Sequence, residues 1–464
     1  MKAPWIAVVG AGPAGLAAAC EAYRHGCGVT LVDEASRPGG QIYRQPSPGL
    51  GVPRVALAGE ERRKEDLLSA FQAASEGIEY CPRTTAYAVF PGPELHIATE
   101  ERGRILRPAA VVLATGVSER GVPFPGWTLP GVLYAGGVQA TLKGQGVRAG
   151  DGVAVVGAGP LPLAVAAQLI AAGAEVRCVA LLHPLRRMAR DPRALWAGRD
   201  IVREGLAYLR TVRRAKVPLL QGWVPLRAEG DERVESLWLA RHDGSGRPVA
   251  GHERRVAVDL VAFNYGFTTN SELARMAGAE VTFDLARGGW IPAADEYGAT
   301  AAPGVFLAGD VAGLRGAPLA AAEGRIVGAA AAAHARGNAR DGVRAELGSA
   351  FSERARHLAF QAAVRRSLML PPGVWDWAEA DTVVCRCEGV TCARLERAIA
   401  DGHHSLDAIK RNTRAGMGWC GGRTCSQAVG ALLHGGQPPA SAPPLRSRPP
   451  ARPVPLGAVA RSKP

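Results

Sequence analysis

Short apolar runs without alternation recur along the chain, and several of them end in a small-residue turn. Trp5 to Val9, Val29 to Val32, Ala109 to Leu113, Gly152 to Val156, Glu175 to Leu181 and Gly304 to Leu307 each read as a strand. A continuous rather than alternating apolar run is what a strand buried on both faces requires. Helical periodicity fills the gaps: Ala14 to His25, Glu61 to Glu76, Leu163 to Ala172 and Ala321 to Ala335, with Arg-rich helical patterns over 183–222. Residues 46–60 read as loop and Glu79 to Thr99 as a small β-meander. Val234 to Leu239 and Arg255 to Phe263 are expected as strands flanking a loop at 241–252. Strands alternating with helices predict an α/β fold.

The first thirty residues carry the sharpest pattern. The strand Trp5 to Val9 runs into Gly10-Ala11-Gly12-Pro13-Ala14-Gly15, a helix follows, and the next strand ends at Asp33. This is G-x-G-x-x-G between strand and helix with an acid about 20 residues on, the dinucleotide fingerprint. Gly10 serves the tight turn, Gly12 the approach of the pyrophosphate to the backbone, and Gly15 the packing of helix on strand. The helix N-terminus offers free N–H groups to phosphate. Asp33 can accept both ribose hydroxyls and repels a 2′-phosphate. Glycines break the apolar N-terminus and no cleavage site follows, so it does not read as a secretory signal.

The architecture repeats 147 positions later at Gly157-Ala158-Gly159-Pro160-Leu161-Pro162, between the strands Gly152 to Val156 and Glu175 to Leu181. The chemistry does not repeat. Pro162 stands where the third glycine belongs, and the second strand leads into Leu182-His183 with no acid. A proline is tolerated in the first helical turn, so a structural copy with weakened or lost nicotinamide binding is expected. Two further strand ends return to the first turn: Ala114-Thr115-Gly116 and Gly309-Asp310.

Composition changes this picture in three places. At 464 residues several domains fit. Residues 1–120 with 291–340 are assigned to one nucleotide-binding domain, 121–290 to the second, 341–380 to a helical connector, 381–432 to a cysteine-rich domain and 433–464 to a tail. That tail is Pro- and Arg-rich, and disorder is predicted from Ser441. The net charge of +13 does not point to nucleic acid: 55 Lys and Arg, only six of them Lys, are scattered among Ala and Gly without an aromatic-interleaved stripe. No run of about 18 apolar residues predicts a membrane span.

Of nine cysteines, five crowd between 385 and 425, which points to a metal or cluster in a reducing compartment. Cys385 and Cys387 are followed by Cys420 and Cys425, with helices predicted over Cys392 to Ala400, capped by Thr391, and over Ser405 to Thr413. Four thiolates on two glycine-rich loops suit an iron–sulfur cluster. Structural zinc favours C-x₂₋₄-C pairs, so C-x-C suits it less. Cys392 opens a helix that aims it at the core and is left out of the ligand set.

Taken together, Gly10 to Gly15, Arg37-Pro38-Gly39-Gly40-Gln41-Ile42-Tyr43-Arg44, Ala114-Thr115-Gly116 with Glu119-Arg120, Pro125-Gly126-Trp127, Ala135-Gly136-Gly137, Leu307-Ala308-Gly309-Asp310 and Gly416-Met417-Gly418-Trp419-Cys420 resemble one family. The chain is similar to FAD/NAD(P)-binding oxidoreductases with a C-terminal domain like bacterioferritin-associated ferredoxin. Among these are the α subunits of D-hydroxyproline and proline dehydrogenases, the A subunit of opine oxidase and the B subunit of hydrogen cyanide synthase. The resemblance implies a glutathione-reductase-like, two-dinucleotide-binding α/β flavoprotein with a small α-rich [2Fe-2S] domain. It implies FAD on Gly10, Gly12, Pro13, Ala14, Gly15, Asp33 with its neighbour Glu34, Gly40, Gln41, Ala114, Thr115, Gly116, Gly309 and Asp310. It implies the cluster on Cys385, Cys387, Cys420 and Cys425, and a second nucleotide or flavin (FMN, ATP or NAD) in the degenerate site of some relatives. Gly421-Gly422 departs from the more usual Cys-Gln-Gly-Arg. Implied partners are a D-amino-acid-oxidase-like flavoprotein β subunit, which oxidises the amino or imino acid, and in some relatives a small ferredoxin-like γ subunit. Cytoplasmic location, or attachment to the inner membrane through the complex, follows as an expectation. A self-contained NAD(P)H reductase and a zinc-stabilised regulatory module are the alternative readings. No catalytic acid or base can be chosen from the scattered histidines.

Overall fold

In the computed structural model the described residues are 4–46, 49–50, 55 and 57–462. Residues 47–48, 51–54 and 56 of the predicted loop at 46–60 lie outside them, and the end of that loop belongs to a helix, Ala58–Ala73. Five strands form a parallel sheet in the order Val305–Leu307, Ala110–Leu113, Trp5–Val9, Gly28–Val32, Ile78–Cys81. A second parallel sheet has the order Leu219–Gln221, Glu175–Leu181, Gly152–Gly157, Leu260–Asn264, Val132–Tyr134. In the first sheet Val9 pairs with both Val32 and Leu113, and Leu113 with Leu307. That register brings Gly10, Asp33, Ala114 and Ala308 to a single edge of the sheet.

Helix Pro13–Arg24 lies against helix Ala317–Ala335 at close range. A Cβ at Gly324 would sit 2.2 Å from the Ala14 carbonyl oxygen, and one at Gly328 2.3 Å from that of Ala18. The alanine-rich composition of both helices is the sequence form of this close packing. The meander Thr85–Phe90, Glu94–Ala98, Gly103–Leu106 covers part of the first domain.

The predicted strand Arg255 to Phe263 is two strands in different sheets. Pro248–Ala257 pairs antiparallel with Ser236–His242, and Leu260–Asn264 joins the parallel sheet. The break is fixed at Asp259, whose carboxylate accepts the N–H groups of Asp151 and Gly152 at 3.0 Å. Strand Pro248–Ala257 also takes up the second half of the loop expected at 241–252.

The tail predicted to be disordered is seated instead. Phe283 N donates to the Ala440 carbonyl, Trp290 Nε1 to that of Ala442, Arg275 to that of Leu445, and Arg423 to that of Ala451. Ala451 N donates to the Tyr87 carbonyl at 2.7 Å. A last short helix, Leu456–Ala460, buries Ala458 against Tyr87, Ala88 and Ala98. Composition misleads here because the contact is made mostly by backbone carbonyls and small alanines, with Leu445 the one large side chain among the tail's described residues buried in the core. Ala458→Asp places a charge in this fully buried position and is expected to detach the tail, read as tryptic cleavage near Arg452 while the rest of the chain survives.

Candidate functional site

The turn after the first strand is tight in the way the fingerprint requires. Gly10 has φ +103, and a Cβ there would lie 2.4 Å from the Ala114 carbonyl oxygen; one on Gly15 would lie 1.7 Å from that of Gly10. Gly40 packs on Gly12, a Cβ on Gly40 falling 2.8 Å from the Gly12 Cα, and Gly39 N donates to the Ala11 carbonyl at 2.8 Å. Gln41 follows on this loop. Gly309 packs on Ala14, its added Cβ 2.7 Å from that of Ala14. The glycine turn, the Pro-Gly-Gly loop and the Gly-Asp loop thus meet around the N-terminus of helix Pro13–Arg24.

The two acids do structural work within this group. Asp33 accepts N–H from Ala11 and Ala35, tying the turn to the end of the second strand. Asp310 Oδ1 accepts N–H from Arg315 at 2.6 Å and Gly316 at 2.9 Å. Burial pushes both carboxyls above the usual range. Glu34 is half-exposed and pairs with Arg452 of the tail at 3.4 Å. Thr115 Oγ1 donates to the Asn270 carbonyl at 2.8 Å, and Asn270 donates in return to the carbonyls of Thr115 and Gly116. The sequence gives no signal for Asn270, because Thr-Thr-Asn-Ser reads as an ordinary turn.

The Glu119-Arg120 pair has a role that its motif does not disclose. The buried Glu119 carboxylate accepts N–H from Gly136 and Gly137 and from the Asn264 amide, and burial raises it. It therefore caps helix Ala135–Gln145, and a Cβ on Gly136 would lie 2.6 Å from Glu119 Oε2. Arg120 is fully buried and donates to the carbonyls of Tyr265, Phe267 and Leu285; burial lowers it to about 10.

At the second turn, helix Leu161–Ala171 starts two residues before the expected Leu163 and buries Pro162 in its first turn. Where the register of the first turn places its acid, the buried Leu181 stands opposite Gly157, and two residues on His183 is buried. Its Nε2 lies 2.9 Å from the Met369 carbonyl and its Nδ1 2.6 Å from Arg187. Burial pushes His183 down to about 4, so at neutral pH it is an uncharged ring tied to the connector.

The four cysteines come together. Cys385 and Cys387 lie on the connection between strands Val383–Cys385 and Val390–Thr391; Cys420 and Cys425 close a loop before helix Ser426–Leu433. A Cβ on Gly418 would fall 2.1 Å from the Cys387 Cβ, so only glycine lets these two loops meet. The sulfurs pair as Cys385 with Cys425 and Cys387 with Cys420. Cys385 is pulled down to about 6, first by the hydrogen bond from Cys425 and then by N–H groups of Gly416, Glu388 and Cys387. Among the described residues no three of these sulfurs lie within 4.8 Å of one another. Two pairs of thiols suit the two irons of a [2Fe-2S] cluster. Cys392 is buried in its helix with its sulfur 3.7 Å from Glu396, apart from the four, and burial raises it to about 11.

This domain is built into the rest. Trp127 Nε1 donates to the Val383 carbonyl, and Arg386 stacks over the Trp127 ring at 5.0 Å. Arg423, buried, pairs with Glu272 at 3.1 Å and donates to the Cys420 carbonyl at 2.8 Å. Gln427 donates to Thr268 Oγ1 at 2.9 Å. Outward, Cys387 is exposed and Trp419 is 85% exposed.

Residues 4–337 match pyridine nucleotide-disulphide oxidoreductases, and residues 383–434 match the BFD-like [2Fe-2S] binding domain. The chain belongs to the pyridine nucleotide-disulphide oxidoreductase family. Within this family it is 36% identical to hydrogen cyanide synthase subunit HcnB of Pseudomonas aeruginosa over 90% of each chain. It is 31% identical to the A subunit of opine oxidase from Agrobacterium tumefaciens, over 98% of this chain and 91% of that one. L-Proline dehydrogenase from P. horikoshii shares the fold with a TM-score of 0.69 at 20% identity, over 99% of this chain and 81% of that one. The protein is thus an FAD-dependent oxidoreductase with a [2Fe-2S] domain, homologous to subunits of multi-subunit oxidases. Among the described residues no helix is long and apolar enough to cross a membrane. The donor sets fit both groups. The glycine cradle leaves backbone N–H groups and no Cβ where a pyrophosphate approaches, and four paired sulfurs with N–H groups turned toward Cys385 suit a cluster.

Proposed function

We propose that this chain is the electron-relay subunit of an amino- or imino-acid dehydrogenase or oxidase. In this reading Gly10, Gly12, Pro13, Ala14, Gly15, Asp33, Glu34, Gly40, Gln41, Ala114, Thr115, Gly116, Gly309 and Asp310 hold FAD, and Cys385, Cys387, Cys420 and Cys425 hold the cluster. FAD supplies a two-electron acceptor and the [2Fe-2S] cluster a one-electron carrier. A D-amino-acid-oxidase-like β subunit oxidises the CH–NH group of the substrate, with a small ferredoxin-like γ subunit as a further member, in the cytoplasm or at the membrane through the complex. Relatives named as subunits of opine oxidase and hydrogen cyanide synthase support this.

The observation that carries the reading is the second turn. It keeps its strand and helix, but the register that places Asp33 beside the first turn places the buried, apolar Leu181 opposite Gly157. A chain with one sound dinucleotide site and a cluster can pass electrons on but lacks the means to take them from a nicotinamide. Anaerobic titration tests this. NADH or NADPH in tenfold excess is expected to leave the flavin band of the isolated chain unbleached over minutes, whereas dithionite bleaches it. Rapid bleaching by NADH would establish the alternative, a self-contained NAD(P)H-dependent reductase. EPR of the reduced protein is expected to show a [2Fe-2S] signal; zinc would give none.

A further inference from the structure

Away from the nucleotide turns, beyond the edge strand Val305–Leu307, the fold leaves a partly open pocket of about 270 Å³. That is room for one small organic molecule. Its walls are of two kinds. Ile291, Leu307 and Val327 supply its apolar part, and Arg287, Arg315 and Arg354 its basic part.

The charges around it do not balance. Arg315 is matched by the buried Glu323 at 3.1 Å. Asp295, also in the wall, is taken by Arg340 at 2.9 Å. Arg354 donates to the Glu296 carbonyl and reaches that residue's carboxylate only at 4.0 Å. Arg287 donates to the Ala312 carbonyl at 3.0 Å, and Arg365 behind it to that of Leu314 at 2.9 Å; among the described residues neither has a carboxylate within 4.0 Å. Burial lowers Arg287, Arg354 and Arg365, the nearby Arg315 charge lowers each of them further, and the surrounding carboxylates offset only part of this. Cations held out of water without a counter-ion are costly, and a planar carboxylate is the partner that a guanidinium fork satisfies bidentately.

We propose that this cavity binds a small organic carboxylate. Its acid group lies against Arg287, which has no carboxylate within 4.0 Å among the described residues, and its hydrocarbon part lies against Ile291, Leu307 and Val327. Glu323 and Asp295 in the same wall oppose a phosphate, whose charge is nearer −2, and favour a monoanion. The apolar part accommodates a short chain or ring, which is the size class of a small amino or imino acid. The cavity adjoins the flavin-side loop through Arg315, whose N–H donates to Asp310, so occupancy can be read in the flavin absorption band. The site is independent of whether the chain relays electrons.

The test is calorimetric titration of the FAD- and cluster-loaded protein at constant ionic strength with butyrate, n-butylamine and inorganic phosphate. Butyrate is expected to bind saturably with one site and to shift the flavin band, and butylamine not to bind. Arg287→Gln is expected to weaken butyrate at least tenfold with flavin content unchanged, and Arg354→Gln, at another part of the wall and paired with Glu296, to weaken it less. Arg340→Gln, which frees Asp295 outside the arginine fork, is expected to change it less than Arg287→Gln does. No saturable butyrate binding, binding of phosphate alone, or equal binding in Arg287→Gln and the parent would each overturn the assignment.

Discussion

Gly15→Ala is expected to yield a chain that no longer retains FAD. The methyl group it adds would stand 1.7 Å from the Gly10 carbonyl oxygen and 3.3 Å from the Ala114 Cβ. Inserting a methyl into a packed core costs about 1–3 kcal/mol even where neighbours can move. Here the obstacle is backbone, pinned on its other side by Gly10 N donating to the Val32 carbonyl at 2.7 Å. The helix must lift away from the strand, and with it the N–H groups of its first turn. A loss of about 3 kcal/mol weakens binding roughly 100-fold, enough to lose the flavin on gel filtration. Gly12→Ala is the control. Its Cβ would meet only the Gly40 Cα, at 3.9 Å, so the apo fold tolerates it and only the approach of the pyrophosphate suffers. The measurement is the flavin-to-protein absorbance ratio with circular dichroism alongside; retention of FAD by Gly15→Ala at the parental level would refute the placement of the pyrophosphate.

Cys420→Ser is expected to keep FAD and stop electron transfer to an added acceptor. Flavin reduction by dithionite should be unchanged, while the EPR signal of the reduced cluster is lost or moved. Changes in the outer shell of a metal site alone cost 10–100-fold, so loss of a ligand should lower acceptor turnover by more than about 100-fold. The reason for expecting FAD to stay is spatial. The glycine turn rests on Gly40, Ala114 and Gly309, all within the first domain, and the Cys420 loop approaches that group through Thr424 at Gly121 and through Arg423 and Glu272, with the tail's Arg452–Glu34 pair beside them. If FAD is lost with the cysteine, that chain of contacts supports the flavin site, and the two domains are less independent than the separate cores suggest.

Which of these features the sequence discloses follows from how each is encoded. Parallel strands buried on both faces leave continuous apolar runs, and the close approaches at Gly10 and Gly15 leave glycines at fixed spacing, so the geometry of the first turn is readable to the residue. The meeting of the paired cysteines is readable for the same reason: Gly418 marks where two loops touch. What stays hidden depends on partners far away in sequence. Asn270 stitches Thr115 from 155 positions off, and nothing in its own turn announces it. The division of residues 248–264 into two sheets is set by Asp259 reaching Asp151 and Gly152. The tail is held by side-chain donors from Trp290, Arg275 and Arg423 to its carbonyls; composition counts the tail's own side chains and so cannot register them.

The edge strand Val305–Leu307 carries a consequence for biosynthesis. It pairs with Ala110–Leu113 across nearly two hundred intervening residues, and Gly309 and Asp310 follow directly from it. A nascent chain that has emerged as far as residue 120 therefore presents four strands and an open edge, with one wall of its nucleotide site still inside the ribosome. The second sheet draws all its strands from residues 132–264 and can close earlier. The domain that comes first in the chain is thus completed after the one inserted into it, because its sheet cannot close until residues 305–307 have been made.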